Sequence, residues 1–307
     1  MNICTSISFF SLIFSLIFSS IFSSIFSSQY QTSFPYLSGL TWVHFSDWKL
    51  LGKDYSGNET SFDPELVKLG DTIYVDSLCL DLFIEEYLPK IQEKVILITS
   101  NYGYGSDQSL PGKYESLLES DKIAAWFVQN IDRAPTSKLI PIPIGLANKN
   151  WAHGNTTLLD SIIPTALIKK KRKNFIYINI TPRPERVNCI NYFKSLGLKF
   201  ENQKSYPLYL QDLSKSVFVV SPKGNGLDCH RTWEALLLGC FPIVESSSLD
   251  PLYEDLPILI INNWEEVTTA LLKKTYAKFS NKEWSREKLY APYWFQKVYN
   301  IKKGLQS

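Results

Sequence analysis

Residues 221–244 read Ser-Pro-Lys-Gly-Asn-Gly-Leu-Asp-Cys-His-Arg-Thr-Trp-Glu, then a leucine-rich run, then Gly-Cys-Phe-Pro-Ile-Val. Glu234 lies three residues from Arg231 and four from His230, so a helix puts all three near its first turn. Gly224 and Gly226 ahead of that turn let the backbone approach a ligand closely. Unpaired N–H groups at a helix start, aided by the helix dipole, favour a phosphate or pyrophosphate. Arg231 would add a planar donor fork, and Glu234 suits sugar hydroxyls. Ser221, Lys223 and Asn225 belong to the same loop. In a second reading, Arg231 and Glu234 form a surface ion pair and the glycines only turn the chain.

The elements around this stretch can be read from composition. The run Val217-Phe218-Val219-Val220 predicts a buried strand. A helix over 229–238 follows, with Asp228 as N-cap and Gly239 closing it, and the next strand spans 241–244. Upstream, the loop Thr181-Pro182-Arg183-Pro184-Glu185-Arg186 joins a strand at 175–180 to a helix at 187–196. Arg183 and Arg186 therefore stand at a strand end. For Arg186 the favoured reading is a solvated charge; for Arg183 a phosphate contact and a solvated charge balance. Glu245 and Ser246 follow the strand at 241–244, at the rim of the same edge.

This segment resembles the donor-binding region of the exostosin-type glycosyltransferases. They carry a strand, a glycine-containing loop, an arginine at the helix start, Glu-Ala-Leu and Gly-Cys-x-Pro-Val in this order. Here Cys229-His230 replaces the serine usual before the arginine, and the likeness is strong over 221–264. The resemblance implies an α/β chain of GT-B architecture, two Rossmann-like domains facing a crevice. It also implies transfer of a sugar from a nucleotide donor, expected to be a UDP-sugar, to a glycan or glycoconjugate hydroxyl. Arg231 would stabilise the leaving diphosphate, joined by Lys223, Gly224, Gly226 and Arg183, with Glu234 on the ribose. His230 would either bond the donor or sit in the core. Candidate bases for the acceptor are Asp76, Asp107 and His153, each near a strand end or turn. No Asp-x-Asp triplet occurs, so no metal or other cofactor is expected. A non-catalytic glycan- or protein-binding module on the same fold is the alternative.

Composition narrows the remaining choices. The 307 residues are 45% hydrophobic, enough for two domains, and the formal net charge of +2 gives no global basic field for nucleic acid. Five scattered cysteines without a Cys-x-x-Cys pair argue against a zinc site or a disulfide framework. A single Gly-Asn-Gly, lacking the third spaced glycine, does not make a dinucleotide site.

Residues 7–26 are uncharged, apolar and serine-rich, with phenylalanine at 10, 14, 18, 22 and 26. Positions 1–28 read as a signal-anchor or cleaved signal peptide, or as a low-complexity extension. The first two place the protein on a membrane or in a secretory lumen, of Golgi type in a eukaryote; the third leaves it cytoplasmic. An acceptor-side domain is expected over 40–165, with strands at 72–76, 95–99, 124–128 and 139–145 and a helix at 79–90. The basic run 169–173 reads as a solvated linker, and the domain boundary falls at 164–173. A nucleotide-sugar domain follows over 174–275, with a helix at 206–215, a strand at 256–261 and a helix at 264–272. An aromatic helical tail at 280–307 either crosses back to the first domain or packs in the core.

Overall fold

In the computed structural model, residues 32–52, 60–100, 109–168, 172–200 and 204–307 are described. They form a mixed α/β protein with two all-parallel sheets. The first lobe opens with helix α1 (Gly39–Phe45), its N-cap hydroxyl from Ser38 accepting from the Thr41 amide. Strands β1 (Trp48–Leu50), β2 (Thr72–Val75), β3 (Val95–Thr99), β4 (Ile123–Gln129) and β5 (Leu139–Ile142) then lie side by side in sequence order, with the short helix α2 (Ser116–Glu119) entering β4. Strand β3, Val-Ile-Leu-Ile-Thr, is buried at every position, as a strand covered on both faces must be.

The second lobe holds β6 (Asn174–Tyr177), β7 (Ser216–Val220), β8 (Phe241–Glu245) and β9 (Leu259–Ile261), again in sequence order. Its covering helices include α4 (Val187–Ser195), α5 (Tyr206–Leu213), α6 (His230–Leu237) and α8 (Thr269–Ser280); the one-turn α7 (Asp250–Tyr253) follows β8. Phe193, Phe218, Ile243, Trp264 and Phe279 make up much of its core. Each such side chain, fully buried, contributes about 1.5–3 kcal/mol. Neither sheet reverses its strand order as a doubly wound Rossmann sheet does, so the ligand edge is set by the carboxyl ends of the strands and not by a switch point.

Several expectations are corrected. Helix α3 (Thr156–Ile168) runs through Pro164, where the sequence placed the start of the domain boundary. Asn155 Oδ1 starts it by accepting from Leu158 N (3.0 Å), and Leu159 and Ala166 pack inward. The stretch 77–90 is helical but changes pitch, from 3-10 through a π turn over Phe83–Tyr87. In place of a helix at 264–272 there is a 3-10 turn at Trp264–Glu266, followed by α8. The C-terminal helix, α9 (Ala291–Gln306), returns to the first lobe. Phe295 stacks on Phe45 at 3.9 Å between ring centroids, and Lys302 pairs with Asp47 (3.4 Å) and Asp71 (3.6 Å).

Arg172 overturns the solvated-linker reading at its own position; residues 169–171 lie outside the described residues. Its Nη1 donates to Ser214 O (2.9 Å) and Ser216 O (3.1 Å), and its Nη2 to Leu238 O (2.8 Å) and Gly239 O (2.9 Å). One guanidinium thereby ties the start of β7 to the end of α6. Arg172→Ala leaves these carbonyls unpaired and is expected to cost about 3 kcal/mol, measured by denaturant unfolding. Arg172→Lys should recover little of it, because an ammonium cannot reproduce the planar fork.

Among the described residues no helix is long and apolar enough to cross a membrane, and residues 1–31 lie outside them.

Candidate functional site

The two lobes meet where the carboxyl ends of β4 and β5 face the start of α6. Asn130, at the exit of β4, has φ +58, a left-handed conformation that asparagine tolerates better than most side chains. Its Oδ1 accepts from Asp228 N (2.9 Å). A Cβ on Gly226 would lie 2.3 Å from Asn130 Nδ2, so the loop passes this close only because residue 226 has no side chain.

Asp228 does not cap α6 as expected. Cys229 is the N-cap residue, makes no side-chain cap bond, and the helix begins at His230. Asp228, 3% exposed, binds across the junction. Its Oδ2 accepts from Ile144 N (2.8 Å) in the first lobe and from Trp233 Nε1 (2.7 Å). Its Oδ1 accepts from Cys229 N (2.9 Å) and Tyr253 OH (3.1 Å). Burial raises its pKa to about 6, and these four donors hold the rise in check. Ser248 Oγ adds another bond to the first lobe, donating to Ile131 O.

These bonds diminish the amide-rich mouth expected from the sequence. The Asp228 and Cys229 amides are taken by side chains, and Gly224 N donates to Gly226 O (3.0 Å). The buried side-chain donors left without a partner in this region belong to an arginine. Arg231 Nε and Nη1 are buried without a hydrogen-bond partner among the described residues. Such donors cost about 1–3 kcal/mol each when left unmade, and two buried nitrogens of one guanidinium without an acceptor have the chemistry to take an anion.

Arg186 corrects the solvated-charge reading: it is 7% exposed. Nε donates to Lys223 O (2.8 Å) and Nη1 to Thr181 O (3.1 Å). A Cβ on Gly224 would stand 2.8 Å from Nη2, so the guanidinium lies directly against the glycine loop. Burial lowers its pKa, and the positive charges of Arg231 and Arg183 lower it further; the three arginines therefore share one field. Arg183 is exposed and bonds Asn225 Oδ1. Lys223 is exposed on the same loop, while Ser221 is buried and bonds Thr232 Oγ1 at 2.9 Å. Glu245, half-buried at the end of β8, has a pKa raised by burial, an effect opposed by the Trp264 indole and Lys223.

His230, Arg231 and Glu234 diverge instead of sharing a face. Glu234 is 4% exposed and turns to α5, where Oε1 accepts from Tyr206 OH (3.1 Å) and Oε2 from Tyr209 OH (2.8 Å). Burial raises its pKa, and the two tyrosines and Arg231 oppose that rise. His230 points to the first lobe, with Nδ1 2.9 Å from Gly145 O. The tyrosine pair is what sequence reasoning missed here, while Arg186 reads in the sequence as a solvated charge; the signal for all three is position, at the start of the helices leading from the carboxyl edge of the sheet.

Of the candidate bases, Asp76 is 1% exposed and caps a 3-10 turn by accepting from Leu78 N (2.9 Å). Asp107 lies outside the described residues. His153 stands 6.1 Å, centroid to centroid, from His230.

Residues 164–303 match the RXYLT1 C-terminal domain, a xylosyltransferase family related to the exostosin-type glycosyltransferases. That span includes the whole second sheet, the three arginines and all but the last turn of α9. No curated protein matches the chain. A solved structure, the crystal structure of the GtfA/B complex, is similar at 10% identity with a TM-score of 0.36. The likeness covers 78% of this chain, and the chain spans only 55% of that one.

Proposed function

We propose that the protein is a glycosyltransferase of GT-B type that moves a sugar from a UDP-sugar to a glycan hydroxyl. The observation that carries this reading is Arg231, whose buried Nε and Nη1 meet no acceptor beside two further arginines and a glycine loop. As the bond from sugar to diphosphate breaks, charge builds on the diphosphate oxygens, and fixed cations in a partly desolvated site stabilise it most. Arg231 receives the diphosphate, with Arg183 and Lys223 at the open side. Arg186 keeps the loop at Lys223 and Gly224 in place from beneath. Glu234 fixes Tyr206 and Tyr209 beside this site, with the ribose resting against the tyrosine–carboxylate group. The similarity to the RXYLT1 C-terminal domain makes UDP-xylose the first donor to try. On this reading guanidinium charge does the work of a metal, and residues 1–28 tether the enzyme to a membrane with its site on the lumenal side.

The test is a panel of UDP-sugars offered to the full chain, scored by released UDP with and without excess chelator, alongside thermal unfolding in UDP. Donor turnover that survives the chelator is expected, together with a rise in Tm that grows with UDP concentration. A chain that UDP stabilises but that turns over no donor is the glycan- or protein-binding alternative. A chain that UDP does not stabilise lacks the donor site altogether.

A further inference from the structure

The turn after β5 is held rigidly against the start of α6. Trp151 N donates to Asn148 O and Gly154 N to Trp151 O, both at 2.9 Å. A Cβ on Gly154 would stand 2.0 Å from Asn148 O, so only glycine closes this turn. The turn carries Trp151 and His153, with ring centroids 5.6 Å apart. Both rings also face His230, at 6.3 Å and 6.1 Å. An indole and two imidazoles thus converge at the lobe junction, one residue from Arg231.

The protonation of His230 follows from its partner. Gly145 O can only accept, so Nδ1 carries the hydrogen and Nε2 of the neutral ring is a bare acceptor. Burial lowers the His230 pKa to about 4, which keeps the ring neutral over the physiological range. His153 is exposed, and its ring nitrogens make no hydrogen bond to any described residue. Packing lowers its pKa as well. The titratable group facing it among the described residues is His230; no carboxylate there pairs with it. The three histidines of the chain are these two and His44, so each imidazole can be followed separately.

We propose that Trp151, His153 and His230 form the acceptor subsite and that His153 takes the proton of the attacking hydroxyl. This rests on the donor-site reading above. The acceptor oxygen bonds to the anomeric carbon while its proton passes to a His153 ring nitrogen. The bond from that carbon to the diphosphate breaks, and the diphosphate leaves with the electron pair toward Arg231. Trp151 offers a flat apolar face for the C–H side of a sugar ring. His230 Nε2 accepts a hydrogen bond from a neighbouring hydroxyl. A base of this kind contributes about 10²–10⁴-fold.

The experiment measures UDP release by the full chain from UDP-xylose, or from whichever panel sugar the wild type turns over, with water and with methyl β-xyloside as acceptors. Wild type, His153→Ala and His153→Gln are compared, and UDP binding is measured by calorimetry on each. Both variants are expected to bind UDP within twofold of wild type and to lose at least 100-fold in turnover. The wild-type rate is expected to fall as pH drops through a pKa below 6.5, the limb on which His153 gains a proton, and the variants to lack that limb. Turnover within threefold of wild type, or an acid limb kept in the variants, overturns the role of His153 and leaves the donor reading intact. Variants that lose UDP binding in parallel with turnover overturn it too, since His153 would then serve the donor. Failure of the wild type to bind UDP removes the donor reading and the subsite together.

Discussion

Arg231→Ala is expected to lower kcat/KM for sugar transfer by about 100-fold or more while leaving the fold intact, because the side chain supplies no hydrogen bond that the described structure uses. Its buried donors await a partner, so truncation removes a desolvation cost from the free protein and removes the partner from the transition state. Unfolding free energy should therefore change little, the relieved desolvation being offset by the lost attraction to the buried Glu234 carboxylate, in contrast to the clear loss expected for a structural arginine. Arg172 gives the contrast within the same chain: its donors are satisfied by backbone carbonyls, and its loss should cost stability. Arg231→Lys should recover only part of the rate, since a single ammonium cannot hold two phosphate oxygens as a fork does. Steady-state kinetics with the best panel donor, paired with urea unfolding, decides between the two roles.

Asp228 carries the largest expected effect on stability. Asp228→Ala strands Ile144 N, Cys229 N, Trp233 Nε1 and Tyr253 OH without their acceptor. At about 1–3 kcal/mol for each unpaired buried donor, with some relaxation, the cost should reach about 4 kcal/mol, a large part of a domain's total stability. The same carboxyl has a pH signature. Its pKa is raised to about 6 in the folded state from 3.8, so between pH 4 and 6 the folded chain holds more protons than the unfolded one. The stability it contributes is complete below pH 4 and is lost as pH rises through 6. The difference in unfolding free energy between wild type and Asp228→Asn should therefore change across that window and be flat above it. A flat difference throughout would mean that the carboxyl has its ordinary pKa and that the junction is open to water.

How much of this was legible depended on whether the signal was local. Strands β3 and β7 are continuous apolar runs buried on both faces, and such runs identify themselves. Helix α6 was placed within a residue at its start by the glycine loop before it and Gly239 after it. Helix α3 was hidden because Pro164 and several β-branched residues argue against a helix, while its support comes from α5, in the other lobe. Arg172 and Arg186 looked like solvated charges because most of what accepts from them is distant in sequence, the near acceptors being single carbonyls at Ala166 and Thr181. Their partners lie 37 residues or more away for the loop carbonyl of Lys223 and for Ser214, Leu238 and Gly239. Asp228 had the right residue type for an N-cap at about the right place, yet four donors from three segments outweigh the one amide a cap would satisfy. Spacing put His230, Arg231 and Glu234 on one helix turn correctly, but their directions were set by Gly145 and by the two tyrosines of α5.

The most direct measurement is calorimetric titration of UDP into the full chain and into Arg231→Ala at two salt concentrations. Binding by the wild type that weakens as salt rises, and a loss of at least tenfold in affinity in the variant, is the result expected of a diphosphate held by that guanidinium. Equal affinity in the two proteins would contradict it.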